Sequence, residues 1–335
     1  MLMPTLSAQA RALASRSAWG EVVALLGAPE EQATVHGDLE LVCLLGESLL
    51  RTGRAREART LFTDTLTQFR DFGGNPTMRR ARNLCGAAHF ELGDYDEALL
   101  AFSRAAELAQ LDGDDLLVAQ SSNNLAMIAN IRGQHEEALA LYRVALPAYQ
   151  RLGNAVGLAR SLHNIAITYR DTERYDDAEE YEQRAIDEAR AAGDEALVAI
   201  VMAGRADVQL MRGDPSMAEA TALHAATLLA QVPDPARRAD ALRLAGRARS
   251  RTGDQAGALP LLDEAVTTAR DCGAALIEAE SLRARAEVHR LRGARTAARD
   301  DATSALALFT RLKAVREEAA TAAWLDALGT DGGRA

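Results

Sequence analysis

The chain has 335 residues, of which 48% are apolar and 26% charged, and it carries a formal net charge of −10. This composition is that of an ordinary folded protein, and the acidic balance argues against direct nucleic-acid binding, which needs clustered Lys and Arg. No run approaches the roughly 20 apolar residues of a membrane span, and the first residues lack an export signal. Three widely separated cysteines, Cys43, Cys85 and Cys272, suit a reducing compartment, so we expect a cytoplasmic protein with no membrane contact.

The sequence repeats with a period of 40 residues. One turn position recurs seven times and is glycine in every copy but one: Gly53, Gly93, Gly133, Glu173, Gly213, Gly253 and Gly293. A second mark falls half a period later, at Gly73, Gly113, Gly153, Gly193, Pro233, Gly273 and Lys313. Because glycine supplies the left-handed residue that ends a helix, each period predicts two helices.

Small residues recur inside these predicted helices. Alanine stands five residues after every turn position, at Ala58, Ala98, Ala138, Ala178, Ala218, Ala258 and Ala298. Glycine or alanine stands seven residues before it, at Gly46, Gly86, Ala126, Ala166, Ala206, Gly246 and Ala286. A large side chain would push two crossing helices apart, so these positions predict where the helices cross closely.

In chain order, residues 5–33 predict a degenerate first repeat that contains SAWGEVVALL. Regular repeats follow over 35–312. Residues 314–328 predict a single helix that covers the apolar face of the last repeat, as the end of a repeat array requires. We expect the tail, 329–335, to be disordered. The whole of 1–328 is therefore predicted to be one domain.

The segment LGDYDEALLAFSRAAELA, Leu92 to Ala109, resembles the tetratricopeptide repeat, with Gly93, Tyr95, Ala98, Phe102 and Ala105 at the signature positions. The next two copies, NNLAMIANIRGQHEEALALYRVAL and HNIAITYRDTERYDDAEEYEQRAI, are similar to the longer repeats of kinesin light chains. The resemblance implies an all-α, right-handed α-solenoid of about eight two-helix repeats. It also implies that the first helix of each repeat lines a concave groove. The period of 40 departs from the family's usual 34.

The sequence contains no motif typical of an enzyme active site or of a metal or cofactor site. The six histidines lie in different repeats without metal-ligand spacing, and neither a phosphate-binding loop nor a nucleophile elbow occurs. We therefore predict a protein that is not an enzyme and that has no metal or cofactor.

Charge separates the two predicted helix sets. Windows of 18 residues over the first helices, starting at 35 and then every 40, sum to +7, whereas those over the second helices, starting at 55, sum to −10. A more basic groove would attract acidic or carboxylate-terminated segments. The alternative is that the arginines pair with acids of neighbouring helices.

Polar residues align along the predicted first helices at spacings that form one stripe. The candidate peptide-binding residues are Arg80, Asn83, Gln120, Asn123, Asn124, Asn130, Arg160, His163, Asn164, Arg170, Arg243 and Arg247. Arg283 and Arg290 continue the basic part of the stripe. Amides and guanidinium groups in a row can hydrogen-bond the backbone of an extended peptide. Whether Asn124 and Asn164 face the groove is open, and solvated side chains on an exposed face are an alternative.

The sequence thus predicts an interaction scaffold or adaptor that binds a peptide segment or helix of a partner protein. One alternative is a ligand- or peptide-sensing regulatory protein that acts on a separate effector chain, like the repeat domains of bacterial transcription regulators. An enzyme is a further alternative, and self-association is open.

Overall fold

The computed structural model describes residues 5–16, 18–69, 75–232, 234–312 and 314–330. Over these ranges the secondary structure consists of helices joined by short turns, with no strand. The predicted turn residues Gly73, Pro233 and Lys313 lie outside the described residues, as does 331–335 of the predicted tail. The chain divides into two compact units, Met1–Asn154 (unit 1) and Ala155–Ala335 (unit 2).

Unit 1 contains three regular helix pairs, α4 to α9, after a short N-terminal region. Its helices are α1 (Leu6–Ala14), α2 (Trp19–Leu26), a 3-10 turn (Pro29–Glu31), α3 (Gln32–Gly37), α4 (Leu39–Arg51), α5 (Ala55–Gln68), α6 (Pro76–Glu91), α7 (Tyr95–Asp112), α8 (Asp115–Ile131) and α9 (His135–Arg151). From α4 onward, even-numbered helices are first helices of a repeat and odd-numbered helices are second helices.

Unit 2 continues the same alternation. Its helices are α10 (Ala155–Asp171), α11 (Tyr175–Ala191), α12 (Glu195–Arg212), α13 (Pro215–Leu229), α14 (Pro235–Arg251), α15 (Gln255–Asp271), α16 (Ala275–Leu291), α17 (Arg295–Leu312) and α18 (Val315–Thr330). The all-α repeat fold that the sequence predicts is confirmed, while a single domain over 1–328 stays a prediction.

The turn position within each repeat is left-handed, as predicted. Gly93 has φ +79° and Gly213 has φ +96°. Glu173 holds the same conformation with φ +60°, although its Cβ makes that conformation costly. The repeat therefore imposes its turn geometry even on the copy that lacks glycine.

The recurring small residues lie where two helices cross closely. A Cβ added to Gly46 would lie 2.1 Å from the Phe62 ring, and one added to Gly86 would lie 2.7 Å from the Phe102 ring. In unit 2, the same addition at Gly246 would lie 2.6 Å from the Leu262 side chain. Glycine thus forms the socket into which the second helix of the same repeat inserts a large side chain.

Within each unit, the first helices of successive repeats contact one another. In unit 1, α4 packs on α6 and α6 on α8, and in unit 2 the same holds from α10 through α16. The second helices pack chiefly on the first helices before and after them. Since stacked repeats approach most closely on their inner side, the first helices form the inner side of each unit. We call the surface that they present the first-helix face.

Two boundaries differ from the prediction. The regular repeats were expected from residue 35, but α3 ends at Gly37 and α4 begins at Leu39. Asp38 separates them, because its carboxylate accepts hydrogen bonds from the backbone N–H groups of Glu40 and Leu41. The last helix, expected over 314–328, begins at Val315 and runs to Thr330, so two residues of the predicted disordered tail are helical.

Candidate functional site

The predicted peptide-binding residues all lie on first helices, but they fall in both units. Unit 1 carries Arg80 and Asn83 on α6 and Gln120, Asn123, Asn124 and Asn130 on α8. Unit 2 carries Arg160, His163, Asn164 and Arg170 on α10 and Arg243 and Arg247 on α14. The structure therefore gives two separate parts of a candidate site.

In unit 1, asparagine side chains connect neighbouring first helices. Asn83 is 8% exposed, and its Oδ1 accepts from Ser121 Oγ at 3.1 Å and from Asn124 Nδ2 at 3.4 Å. Asn124 therefore bonds within the helix stack, which answers a question that the sequence left open. Asn123 is also buried, with Nδ2 3.8 Å from Met127 Sδ. Asn83 and Asn124 thus connect α6 with α8, whereas the contact of Asn123 lies within α8.

Other polar groups of unit 1 lie nearer the surface. Arg80 donates to Glu47 at 2.8 Å and lies 3.7 Å from Glu40, so it ties α6 to α4. Asn130 Oδ1 lies 2.9 Å from His135 Nδ1. Gln120 is partly exposed, and among the described residues its side chain has no hydrogen-bond partner. Gln120 is thus a partly exposed amide of this face that can bind a ligand.

In unit 2, His163 meets a buried carboxylate that the sequence analysis missed. Its Nδ1 lies 2.8 Å from Oε2 of Glu182, which α11 places in the interior with 0% exposure. Gly204 on α12 leaves the space for this pair, because a Cβ there would lie 2.5 Å from the imidazole. Burial raises the pKa of Glu182, although His163 and Arg170 act in the opposite direction.

The position of Glu182 within its repeat could have identified it as a buried carboxylate. Position 182 corresponds to Phe62, Phe102 and Tyr142, which are the large buried side chains of the second helices in unit 1. A carboxylate at a core position of a repeat demands a nearby polar partner. His163, seen in the sequence only as a groove residue, is that partner.

The arginines of unit 2 form a chain of ion pairs along the first-helix face. Arg170 lies 3.2 Å from Asp207, and Arg247 lies 3.6 Å from the same carboxylate. Arg243 pairs with Asp240 at 2.5 Å and lies 3.4 Å from Glu280. The alternative that arginines pair with acids of neighbouring helices therefore describes these residues, as it does Arg80.

Burial and neighbouring charges act differently on two of these guanidinium groups. Burial acts to lower the pKa of Arg243, but Asp240 and Glu280 outweigh it and the pKa lies above its usual value. For Arg247, burial and the adjacent charge of Arg243 together lower the pKa. Arg160 on α10 is exposed. The face thus combines arginines paired with carboxylates and an arginine with an exposed side chain.

The described residues hold no cluster of three His, Cys, Asp or Glu side chains that could bind a metal ion. In the same part of the chain, no helix combines the length and the apolar character needed to cross a bilayer.

The comparisons with known proteins agree with the repeat architecture. Residues 39–110 and 117–191 match the family model of the tetratricopeptide repeat. The Rap protein complexed with Competence and Sporulation Factor has a TM-score of 0.61 at 14% identity, with 96% of this chain and 98% of that chain covered. The apo form of the quorum sensor NprR from B. thuringiensis has a TM-score of 0.60 at 14% identity, with 93% and 97% covered.

A tetratricopeptide repeat protein from Parabacteroides merdae ATCC 43184 has a TM-score of 0.55 at 16% identity, with 84% of this chain and 98% of that chain covered. At these identities the likeness establishes the fold alone. The sequence matches no curated protein. The resemblance to the kinesin-light-chain type of repeat stays a prediction.

Proposed function

Because residues 39–110 and 117–191 match the family model of the tetratricopeptide repeat, we propose that this chain is a non-enzymatic interaction scaffold whose first-helix face binds a peptide segment or helix of a partner protein. The observation that supports this most is the polar stripe on the first helices of each unit, where Gln120 of unit 1 is partly exposed and Arg160 of unit 2 is exposed. Such groups bind a peptide backbone with little dependence on its side chains.

The paired residues have a supporting role in this proposal. Asn83 and Asn124 hold α6 against α8, and Asp207 holds Arg170 and Arg247 in fixed positions. A face whose side chains are already ordered loses less conformational entropy when it binds a ligand. The same pairing neutralises most of the basic stripe, so we propose that a preference for acidic segments comes from Arg283, which forms no ion pair with a carboxylate among the described residues.

The proposal is tested by selecting binders from a displayed library of random 12-residue peptides on the immobilised full chain. The peptides are then titrated against Gln120→Ala combined with Arg160→Ala. The matched control is Gln110→Ala combined with Arg143→Ala, which removes the same residue types from exposed positions of second helices. We expect the first-helix variant to bind about tenfold more weakly, and the control to bind like wild type. Equal binding by both variants would reject the first-helix face.

We also keep a sensing role as a second candidate, since the fold is similar to that of the quorum sensor NprR and of the Rap protein solved with Competence and Sporulation Factor. A sensor changes its conformational equilibrium when ligand binds, whereas a scaffold need not. Small-angle scattering of the full chain with and without a selected peptide separates the two. A change in the radius of gyration supports sensing, and an unchanged profile at saturation supports the scaffold.

A further inference from the structure

A pocket of about 480 Å³ opens on the first-helix face between α16 and α18. Arg283, Glu287 and Arg290 line one side, and Trp324, Ala327 and Leu328 line the other. Arg283, Glu287 and Arg290 occupy the same repeat positions as His163, Ile167 and Arg170 on α10. The pocket therefore belongs to the polar stripe of unit 2.

Glu287 and Trp324 fix the shape of the pocket. The indole Nε1–H of Trp324 donates to Glu287 Oε2 at 2.9 Å, and Arg290 donates to both oxygens of the same carboxylate. These bonds lower the pKa of Glu287, with Arg290 as the largest cause. The acid is thus held ionised by Arg290, and its hydrogen bond to Trp324 orients the indole ring.

Arg283 differs from the other arginines of the stripe. Its guanidinium carbon lies 4.3 Å from the centre of the Trp324 ring, within the distance of a cation–π contact. Within the part of the chain that the structure describes, it forms no ion pair with a carboxylate, in contrast to Arg243 and Arg170. Burial lowers its pKa, and the charge of Arg290 adds to this effect while Glu287 opposes it. One positive charge at the pocket is therefore uncompensated.

We propose that this pocket binds the side-chain carboxylate of an acidic residue in the partner segment, with Arg283 as its main ligand. Arg283 lines the pocket and forms no ion pair with a carboxylate among the described residues, and a guanidinium group can bind a carboxylate in a bidentate pair. Ala327, Leu328 and the indole ring supply an apolar wall for the methylene groups that carry the carboxylate. The inference rests on the proposed function, since it assigns one subsite of the same face.

The test uses three tripeptide probes that carry a side-chain carboxylate, no carboxylate or a C-terminal carboxylate. They are acetyl-Leu-Glu-Leu-amide, acetyl-Leu-Gln-Leu-amide and acetyl-Leu-Gln-Leu with a free C-terminal carboxylate. The protein is the full chain with Trp19→Phe, which leaves Trp324 as its single tryptophan and fluorescent reporter. Titrations are run at pH 7.5 and constant ionic strength. We expect a saturable fluorescence change with the Glu probe and at least tenfold weaker binding of both Gln probes.

Arg283→Met keeps the aliphatic stem and removes the charge, so it should abolish the preference for the Glu probe. Arg299→Met, at an exposed position of α17, is the matched control and should leave that preference unchanged. If Arg283→Met does not fold, Arg283→Lys is measured instead. It retains the charge without the planar fork and should reduce the preference severalfold.

Three outcomes would overturn the carboxylate pocket: equal binding of the Glu probe and its amide, stronger binding of the free C-terminus, or an undiminished preference in the Arg283 variant. Failure here is distinct from failure of the proposed function. If library peptides still lose binding with the Gln120 and Arg160 double variant, the first-helix face binds peptides and only this subsite is rejected.

Discussion

His163 Nδ1 lies 2.8 Å from Glu182 Oε2, and this contact joins a residue of the first-helix face to a carboxylate with no exposed surface. Arg170 and Glu179 contribute the other charges that act on Glu182. If Glu182 gains or loses a proton, the hydrogen bonding of His163, a predicted peptide-binding residue, therefore changes. The contact also makes the stability of unit 2 depend on pH.

The free energy of unfolding of Glu182→Gln, relative to that of wild type, should be higher at pH 8 than at pH 5. Because burial raises the folded-state pKa of Glu182, its contribution to stability is present below the unfolded pKa of about 4.3 and is lost as the pH rises through the folded value. Gln keeps the shape and does not ionise. Urea unfolding at both pH values measures the difference.

The control for this prediction is Glu180→Gln on the same helix, whose side chain is 70% exposed. It should shift the unfolding midpoint equally at pH 5 and pH 8. A Glu182→Gln variant that loses more stability at pH 8 than at pH 5 would mean that His163 and Arg170 hold the carboxylate ionised in the folded state.

Glu173→Gly should raise stability by about 1 kcal/mol, because glycine adopts a left-handed conformation without the steric penalty of a Cβ. Glu173 has φ +60° at a turn where the other repeats have glycine. Gly133, with φ +74°, is the matched site, and Gly133→Ala should lower stability by about the same amount. Thermal unfolding followed by circular dichroism measures both, and a destabilised Glu173→Gly variant would contradict the prediction.

Gly86→Ala should destabilise unit 1 by about 1–3 kcal/mol, because the new methyl group would lie 2.7 Å from the Phe102 ring. Phe102→Leu in the same chain should recover part of this loss, since the smaller side chain leaves room. A double-mutant cycle by urea unfolding measures the coupling. Gly20→Ala is the control, because its Cβ would meet nothing within 4 Å. Additive effects of Gly86→Ala and Phe102→Leu would contradict the proposed crossing.

Much of the fold follows from the sequence because a repeat shows the same physical constraint several times. Gly46, Gly86 and Gly246 could be identified as helix crossings since a single close approach recurs every 40 residues. The turn at Glu173 could be placed for the same reason, although its residue type argues against it. The N-terminal helix α3 was missed because it lies outside this periodicity.

The candidate site was predicted less completely, because periodicity says which face a residue occupies and not what it contacts on the next helix. The sequence left open whether Arg170 and Arg247 pair with acids of neighbouring helices, and Asp207 on the intervening helix α12 lies within 4 Å of both. Glu182 reaches His163 across 19 residues of sequence. Such pairs depend on the rotation of one helix against another, which side-chain packing sets in three dimensions.

Asp207→Asn should lower the stability of unit 2 by about 1 kcal/mol, because it leaves the facing guanidinium groups of Arg170 and Arg247 without their shared carboxylate. The groups are partly exposed, so solvent screening keeps the effect small. Urea unfolding at 20 and 500 mM NaCl should show a smaller difference from wild type in high salt. Asp176→Asn is the control, since that carboxylate is 97% exposed and lies 3.6 Å from Arg212. A loss that is equal at both salt concentrations would assign the role of Asp207 to local hydrogen bonding instead of to charge.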